Sequence, residues 1–507
     1  MPKTECAGRR HRLLFVLSFL AVASAVTAVM MSRHMDVDSY YMIPLGREIL
    51  EDGIPRTYAP SYYPGMRLVA QQWLYAVLAY LASLVPGELG LMAFHMAQVL
   101  ALYALCYRYL KPAYGDPFWC WLGATACMLQ LGDFAYQASL RPENATLALL
   151  LGTMLAMDGY DRSGRKPWLL LPPVLLLLEM QLHMTMWPLH FCVMAAYLVP
   201  FPEKLASKIP GRPVPARAVP DRWQLLSLAA MAPVPLMQPY GLDGAAYLFR
   251  SMPAFNAIGV SEQQPLMLAE EQSLTVIAVG ILAVWLASRH AVKTDELCLA
   301  LGIGLLGCVN YHSGMFLPLA LLALARPLLR MLAARDPAPA AEAVPGGVKK
   351  LCAGIAAAAV AISAVACAAC APGFRDWYGI GPAIGCIRDH SAGGNVLAET
   401  DAGSVLYYDG FAGRVMGDSR HEAMSKDVNG STDGLKYLAW FMDGTDPDGE
   451  TPDIRGYLDR YDIDCVLLAE GRRAYSYLWG WLDGSGEWEK ADHAASEDWA
   501  VWVRKGE

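Results

Sequence analysis

The chain has 507 residues, of which 55% are hydrophobic and only 17% charged, with a net charge of -8 and a mean hydropathy of +0.28. Soluble globular chains carry about 25% charged residues, and disordered or fibrous chains are poorer in apolar residues than this one. The acidic balance offers no basic surface for a polyanion, which excludes nucleic acid as a partner.

The shortage of charge is local. Leu13 to Met31 has no charged side chain, and neither have Gln272 to Ser288 or Leu351 to Ala371. Stretches of about 20 apolar residues match the roughly 30 Å hydrocarbon core of a bilayer, so the composition predicts a polytopic membrane protein, mostly α. Lys3, Arg9, Arg10 and Arg12 precede the first run, and Ala21, Ala23 and Ala25 lie within it. That pattern also fits a cleaved leader, but the run exceeds a usual leader core and more segments follow, so a retained helix is expected. Further apolar segments fall at about 89–107, 117–132, 144–157, 167–178, 184–200, 223–238, 272–288, 297–311, 315–334 and 351–371, making about eleven spans.

Leu68 to Val85 is ambiguous, and the positive-inside rule decides it. With this stretch in the interface, the loops 1–12, 108–116, 158–166, 201–222, 289–296 and 330–350 hold twenty Lys/Arg against ten Asp/Glu. The alternate loops 32–88, 133–143, 179–183, 239–271 and 312–314 hold six against thirteen. The N-terminus is therefore expected inside, at the inner (cytoplasmic) membrane, and the C-terminus outside. No internal repeat of the inverted transporter kind is visible.

Residues 1–371 thus form the expected transmembrane domain, with an outer loop over 32–88. Residues 372–507 hold twenty-five Asp/Glu against thirteen Lys/Arg. Asn395–Glu399, Arg414–Gly417, Cys465–Leu468 and Trp499–Val503 read as strands and Gly456–Tyr461 as a helix, giving a small extracytoplasmic α/β domain. Most of the twelve cysteines lie in or beside apolar segments, where they pack as small hydrophobes. Cys367 and Cys370 have redox-motif spacing without a βαβ context, and only Cys386 and Cys465 lie in a polar region.

Candidate chemistry sits on the outer side. Asp36 and Asp38 follow the first span directly. A carboxylate at that boundary suits a general base towards an acceptor hydroxyl. The two acids sharing a divalent cation is a second reading, and capping the next helix a third. Arg141 has the fork geometry for a lipid phosphate. Glu143 suits a helix start, and His183, Tyr240 and Glu262 are further outer-end polar groups. Gln71, Gln72, Trp73, Tyr75 and Tyr80 give the 68–85 stretch a headgroup-compatible face.

The order of these elements resembles the GT-C superfamily of integral-membrane glycosyltransferases, which includes the protein mannosyltransferases and the lipid A aminoarabinose transferases. The pattern is an Asp soon after the first helix, aromatics two and three residues on, and an Arg nine residues on followed by an apolar pair. Here those are Asp38, Tyr40, Tyr41, Arg47, Ile49 and Leu50. Ile54-Pro55-Arg56-Thr57, Gln72-Trp73-Leu74, Arg141-Pro142-Glu143, Leu182-His183, Gln238-Pro239-Tyr240-Gly241, Ser261-Glu262-Gln263-Gln264-Pro265 and Tyr461 to Leu468 are similar to bacterial members with a C-terminal outer domain. Ser39 stands directly after Asp38, where characterised members often carry a second acid.

The resemblance implies a polyprenyl-phosphate sugar donor, a cell-envelope acceptor, and inversion at the anomeric carbon. It implies Asp38, with Asp36, as the catalytic acid pair. Arg141, His183, Glu143, Glu262, Arg56 and Tyr240 are the corresponding donor-phosphate or substrate residues. The alternatives are a polytopic transporter or flippase, and an inactive GT-C-like scaffold. The transporter reading requires mid-membrane charges, of which Arg326 is the main one in the sequence, expected to snorkel.

Overall fold

The computed structural model describes residues 35–85, 89–113, 140–198, 220–258, 271–289, 291–309, 311–335, 379–391, 393–424, 433–442, 452–473, 476–491 and 498–505, with a few isolated positions between. Helix predominates, with one five-stranded sheet among these residues. In chain order come α1 (Val37–Asp52), α2 (Trp73–Ser83), α3 (Leu89–Leu110), α4 (Glu143–Ser163), α5 (Leu171–Leu182), α6 (Trp187–Leu198), α7 (Arg222–Met231), α8 (Leu242–Ile258), α9 (Glu271–Ser288), α10 (Thr294–Val309) and α11 (Leu317–Arg335). There follow α12 (Gly381–His390), β1 (Asn395–Ala398), α13 (Thr400–Tyr408), β2 (Arg414–Val415), α14 (Asp433–Met442), α15 (Ile454–Arg460), β3 (Ile463–Ala469), α16 (Tyr477–Ser485), β4 (Trp488–Lys490) and β5 (Trp499–Arg504).

Helices α3 to α7 and α9 to α11 fall on the apolar segments expected from the sequence. The segments 13–31, 117–132 and 351–371 lie outside the described residues, apart from isolated positions. Among the described residues two helical stretches, Gly90–Leu110 and Ser313–Met331, are long and apolar enough to cross a membrane. α8 occupies a stretch expected as loop, because Asp243, Gly244, Arg250 and Pro253 interrupt its apolar run. The ambiguous 68–85 stretch holds only the eleven residues of α2, about 16 Å of helix at 1.5 Å per residue.

The described residues divide into two compact units. The helical unit draws on 91–242 and 261–369. Its local stops and starts follow familiar chemistry. Gly164, in the left-handed region at φ 63°, caps α4, and Asp221 with Gln224 forms a capping box on α7. Apolar side chains nonetheless point outward at helical spacing. Leu170, Val174 and Leu178 do so on and just before α5, Leu274, Ile277, Ile281 and Val284 on α9, and Leu301, Leu305 and Val309 on α10.

Polar groups of this unit form clusters towards both of its ends. At one end Asp158 of α4 pairs with Arg326 of α11, whose guanidinium lies 4.6 Å from the Tyr109 ring centroid. Glu296 accepts from Arg330 at 2.6 Å, and Tyr160 donates to Asp221. Arg326 therefore does not snorkel: it is buried, because two acids from other helices meet it inside. Towards the other end lie Arg141, Glu143, Glu179 and His183, and Gln181 donates to the Met237 carbonyl at 2.9 Å.

The mixed unit draws on 33–90, 243–260 and 370–507, so the outer loop 32–88 packs with the C-terminal domain. The sheet order is β2-β1-β3-β5-β4, with β2, β1 and β3 parallel and β3, β5 and β4 antiparallel. β3 is nearly continuously apolar and buried, as a central strand requires. The four strands expected from the sequence are β1, β2, β3 and β5. The short β2 is sealed by a hairpin from the outer loop. Tyr62 donates its N–H to the Val415 carbonyl, and Val415 its N–H to the Pro60 carbonyl, both at 2.9 Å. The Ser61 hydroxyl donates to the Met416 carbonyl at 2.6 Å. An unpaired sheet edge is thereby covered. α1 and α2 meet at Gly46, where a Cβ would lie 2.1 Å from the Ala76 carbonyl oxygen. Only glycine permits that approach.

Candidate functional site

Asp36 is the N-cap of α1: its Oδ1 accepts the backbone N–H of Asp38 at 3.1 Å. The capping reading of this acid holds. Asp38, two residues on, lies in the first helical turn and is half-buried. Its Oδ1 accepts from the Ser419 hydroxyl at 2.9 Å. Ser419 is itself held, because its N–H donates to Ser404 Oγ at 3.1 Å and the Ser404 hydroxyl lies 3.3 Å from Ser419 Oγ. Ser404 sits on α13, which packs against α1. A carboxylate fixed at a helix N-terminus by a half-buried serine, itself held by the buried Ser404, is oriented.

Asp418 and Arg420, flanking Ser419, form a buried ion pair that the sequence did not single out. Arg420 donates from its backbone N at 3.0 Å and from Nε at 2.8 Å to Asp418 Oδ1. Its guanidinium lies 4.5 Å from the Tyr41 ring centroid and 4.8 Å from that of Tyr58, within cation–π range of both. Burial opposes the charge on Arg420, but the Asp418 carboxylate more than offsets it and holds the guanidinium well above its ordinary value. Burial, followed by the nearby Asp418 charge, pushes the Tyr58 phenol up. Tyr41 donates to Gln72 Oε1 at 3.0 Å and Tyr407 to Glu48 Oε2 at 2.6 Å. The aromatic residues expected after Asp38 therefore serve its setting: Tyr40 packs edge-on to Tyr408 at 5.2 Å, and Tyr41 carries Arg420. Only a D-x-R spacing marks the ion pair in the sequence, a pattern common on exposed loops.

In the same unit a cleft of about 530 Å³ is lined by Tyr62, Tyr63, Asn395, Asp433, Arg460 and Tyr461, among others. Arg56 is exposed on the hairpin, and its carbonyl accepts from Leu68 N–H at 3.0 Å.

The helical unit holds the other expected residues. Arg141 and Glu143 are buried at the start of α4. One turn on, the Thr146 hydroxyl donates to Glu179 Oε1 at 2.6 Å and lies 3.1 Å from His183 Nδ1. Two turns further, Thr153 lies 3.2 Å from His190 Nδ1, and His190 Nε2 faces Glu179 Oε2 at 3.6 Å. The structure thus brings His183 into a chain with Glu179 and adds His190 and the two threonines, whose matched sevenfold spacing was the available signal. Tyr240 lies in a turn that Gln238 closes, accepting the Tyr240 N–H at 2.7 Å and donating to the Gly241 carbonyl. Glu262 lies outside the described residues.

Among the described residues no group of three or more His, Cys, Asp or Glu is placed to hold a metal ion. One oxygen of Asp36 and one of Asp38 are engaged by the cap and by Ser419 respectively. Cys386 and Cys465 are both free and buried. No protein-family model matches the chain, and no curated protein matches it.

Proposed function

We propose that the chain is a multi-pass membrane glycosyltransferase of the GT-C kind, moving a sugar from a polyprenyl-phosphate donor to an acceptor on the outer face of the cell membrane. The observation that carries this reading is the fixed carboxylate of Asp38. In the proposed reaction Asp38 takes the proton of the acceptor hydroxyl as its oxygen attacks the anomeric carbon. The bond from that carbon to the lipid-phosphate oxygen breaks, its electron pair leaves with the phosphate, and the configuration inverts. A positioned base supplies about 10²–10⁴ in rate to such a step. Arg141 and His183 are assigned to the substrate in this reading.

Membrane residence is supported by the outward apolar rows on α5, α9 and α10, since soluble surfaces rarely expose such contiguous patches. The proposed topology draws support from polar contacts within the helical unit. Asp158, Asp221 and Glu296, from segments expected inside, are linked at one end. Glu179 and His183, from the segment expected outside, both meet Thr146, one turn after Glu143, towards the other.

The experiment is transfer of labelled sugar from polyprenyl phosphate in membranes holding the wild-type chain or Asp38→Asn. Loss of transfer in the variant supports the assignment, and equal transfer by both rejects it. A second reading, a proton-coupled transporter, is favoured by one observation. Asp158, Glu179, Glu296 and Arg326 are all buried in the helical unit, and ionisable residues in membrane helices often mark proton or ion pathways.

A further inference from the structure

The cleft of about 530 Å³ in the mixed unit is lined by none of the residues assigned above to the transfer reaction. Its volume falls within the range of roughly 300–1,000 Å³ seen for small-molecule sites. Four separate segments supply its lining. Tyr62 and Tyr63 come from the outer-loop hairpin, Asn395 opens β1, Asp433 opens α14, and Arg460 and Tyr461 end α15.

The aromatic part of the lining is fixed. The Tyr62 and Tyr461 side chains are buried, with ring centroids 5.1 Å apart and planes inclined at 42°. Tyr63, half-buried, adds a third ring 6.4 Å from that of Tyr461 at 39°. Behind them the Tyr62 hydroxyl lies 3.2 Å from that of Tyr457, which packs edge-on to Trp440 at 4.4 Å. Rings at these separations touch one another. They make one folded surface, not walls set apart.

The polar part adjoins it. Asp433 Oδ2 accepts from the Tyr461 hydroxyl at 2.6 Å and from Arg460 Nη1 at 3.2 Å. Burial, followed by the bond to Asp433, holds the Tyr461 phenol above its ordinary value, so its hydroxyl stays the donor. Asn395 Nδ2 donates to the Tyr461 carbonyl at 2.6 Å. Arg460 carries five N–H donors, and its side chain is 64% exposed. Asp462, also on the lining, sits in the left-handed region at φ 49°, which aspartate tolerates, where the chain turns from α15 into β3.

These groups select a ligand class. Among the described residues that line the cleft, Arg460 is the one cation against two carboxylates, Asp433 and Asp462, a balance that disfavours an anion. A quaternary ammonium ion needs aromatic faces disposed around it, whereas these rings pack on each other with a guanidinium beside them. A neutral molecule with a C–H face and a hydroxyl edge satisfies both parts. Its C–H groups lie on the electron-rich ring faces, and its hydroxyls find acceptors and donors side by side. A pyranose is such a molecule. We propose that this cleft binds a neutral saccharide, with a sugar ring stacked on the tyrosines and its hydroxyls held by Asp433, Arg460 and Asn395.

The proposal concerns binding alone and stands apart from the transferase reading. The test therefore contains no sugar donor, so failure to bind and failure to transfer are separate results. The full chain is held in micelles of a detergent without a sugar headgroup. Saturation-transfer NMR and calorimetry measure binding of maltotriose, mannotriose, galactotriose and chitotriose. At least one is expected to bind, with saturation strongest on its ring C–H protons. Tyr63→Ala and Arg460→Ala should each weaken that binding by about tenfold or more, with melting temperature nearly unchanged. If Tyr63→Ala fails to fold, Arg460→Ala decides, because its side chain is exposed and lies outside the core. Binding of none of the four by folded wild type, undiminished binding by either folded variant, or displacement of the trisaccharide by tetramethylammonium overturns the proposal.

Discussion

Ser419 donates its hydroxyl to Asp38 at 2.9 Å across 381 positions of sequence. The serine has little freedom to turn away, because its own N–H is bonded to Ser404 and its neighbours are locked in the Asp418–Arg420 pair. A base held in this way presents one orientation to an incoming hydroxyl.

Asp38→Asn keeps the size of the side chain and its bond to Ser419 while removing basicity. Transfer is expected to fall by about 10²–10⁴ with melting temperature nearly unchanged. Ser419→Ala leaves the base but frees it, and a loss of roughly tenfold follows from one bond to a charged group. Asp36→Asn retains the cap and should cost less than Asp38→Asn. Initial rates with labelled donor give all three comparisons.

The Asp418–Arg420 pair makes a different prediction, about stability. Asp418→Ala strands a buried guanidinium, and breaking such a pair costs about 3–5 kcal/mol. The double change Asp418→Leu with Arg420→Met removes both charges and should recover most of that loss. Denaturant titration followed by tryptophan fluorescence distinguishes the two.

Alkaline pH should weaken the mixed unit. Burial raises the phenols of Tyr58, Tyr437 and Tyr457 well above their ordinary value and also raises Tyr62, Tyr407 and Tyr461. The folded state therefore keeps protons that the unfolded chain gives up near pH 10. This contribution is intact below about pH 10 and is lost as the pH climbs through the folded values. The tyrosinate absorbance of these six phenols should appear together with unfolding rather than before it. Early titration of these six phenols in a folded protein would contradict their burial.

Proposed topology is tested by labelling with a membrane-impermeant thiol reagent. Ser207→Cys, in the basic 201–222 segment, should react only after the membrane is opened. Asp483→Cys, exposed on α16, should react in intact cells. Labelling of both from the same side overturns the eleven-span arrangement.

Much of the mixed unit was legible because its strands are short apolar runs bounded by turn residues, as at Asn395–Ala398 and Ile463–Ala469. β4 was not, since Trp488-Glu489-Lys490 carries two exposed charges and takes its shape from pairing with β5. The cap at Asp36 is local and readable. The partner of Asp38 is not, because Ser419 reaches it only after the chain has returned through the whole helical unit. Arg326 misled for a related reason: a lone arginine in an apolar run shows nothing of the acids on α4 and α10 that receive it.

The hairpin that seals β2 ties residue 61 to residue 416, 355 positions downstream. At synthesis rates of about 5–20 residues per second, the outer loop emerges roughly 20–70 s before its docking strand exists. During that interval the loop's backbone donors and Asp38 have no finished surroundings. An early-emerging loop is thus among the last parts of the molecule to acquire its final form. A nascent chain halted between residues 88 and 415 carries every residue of the loop without the partner that shapes it.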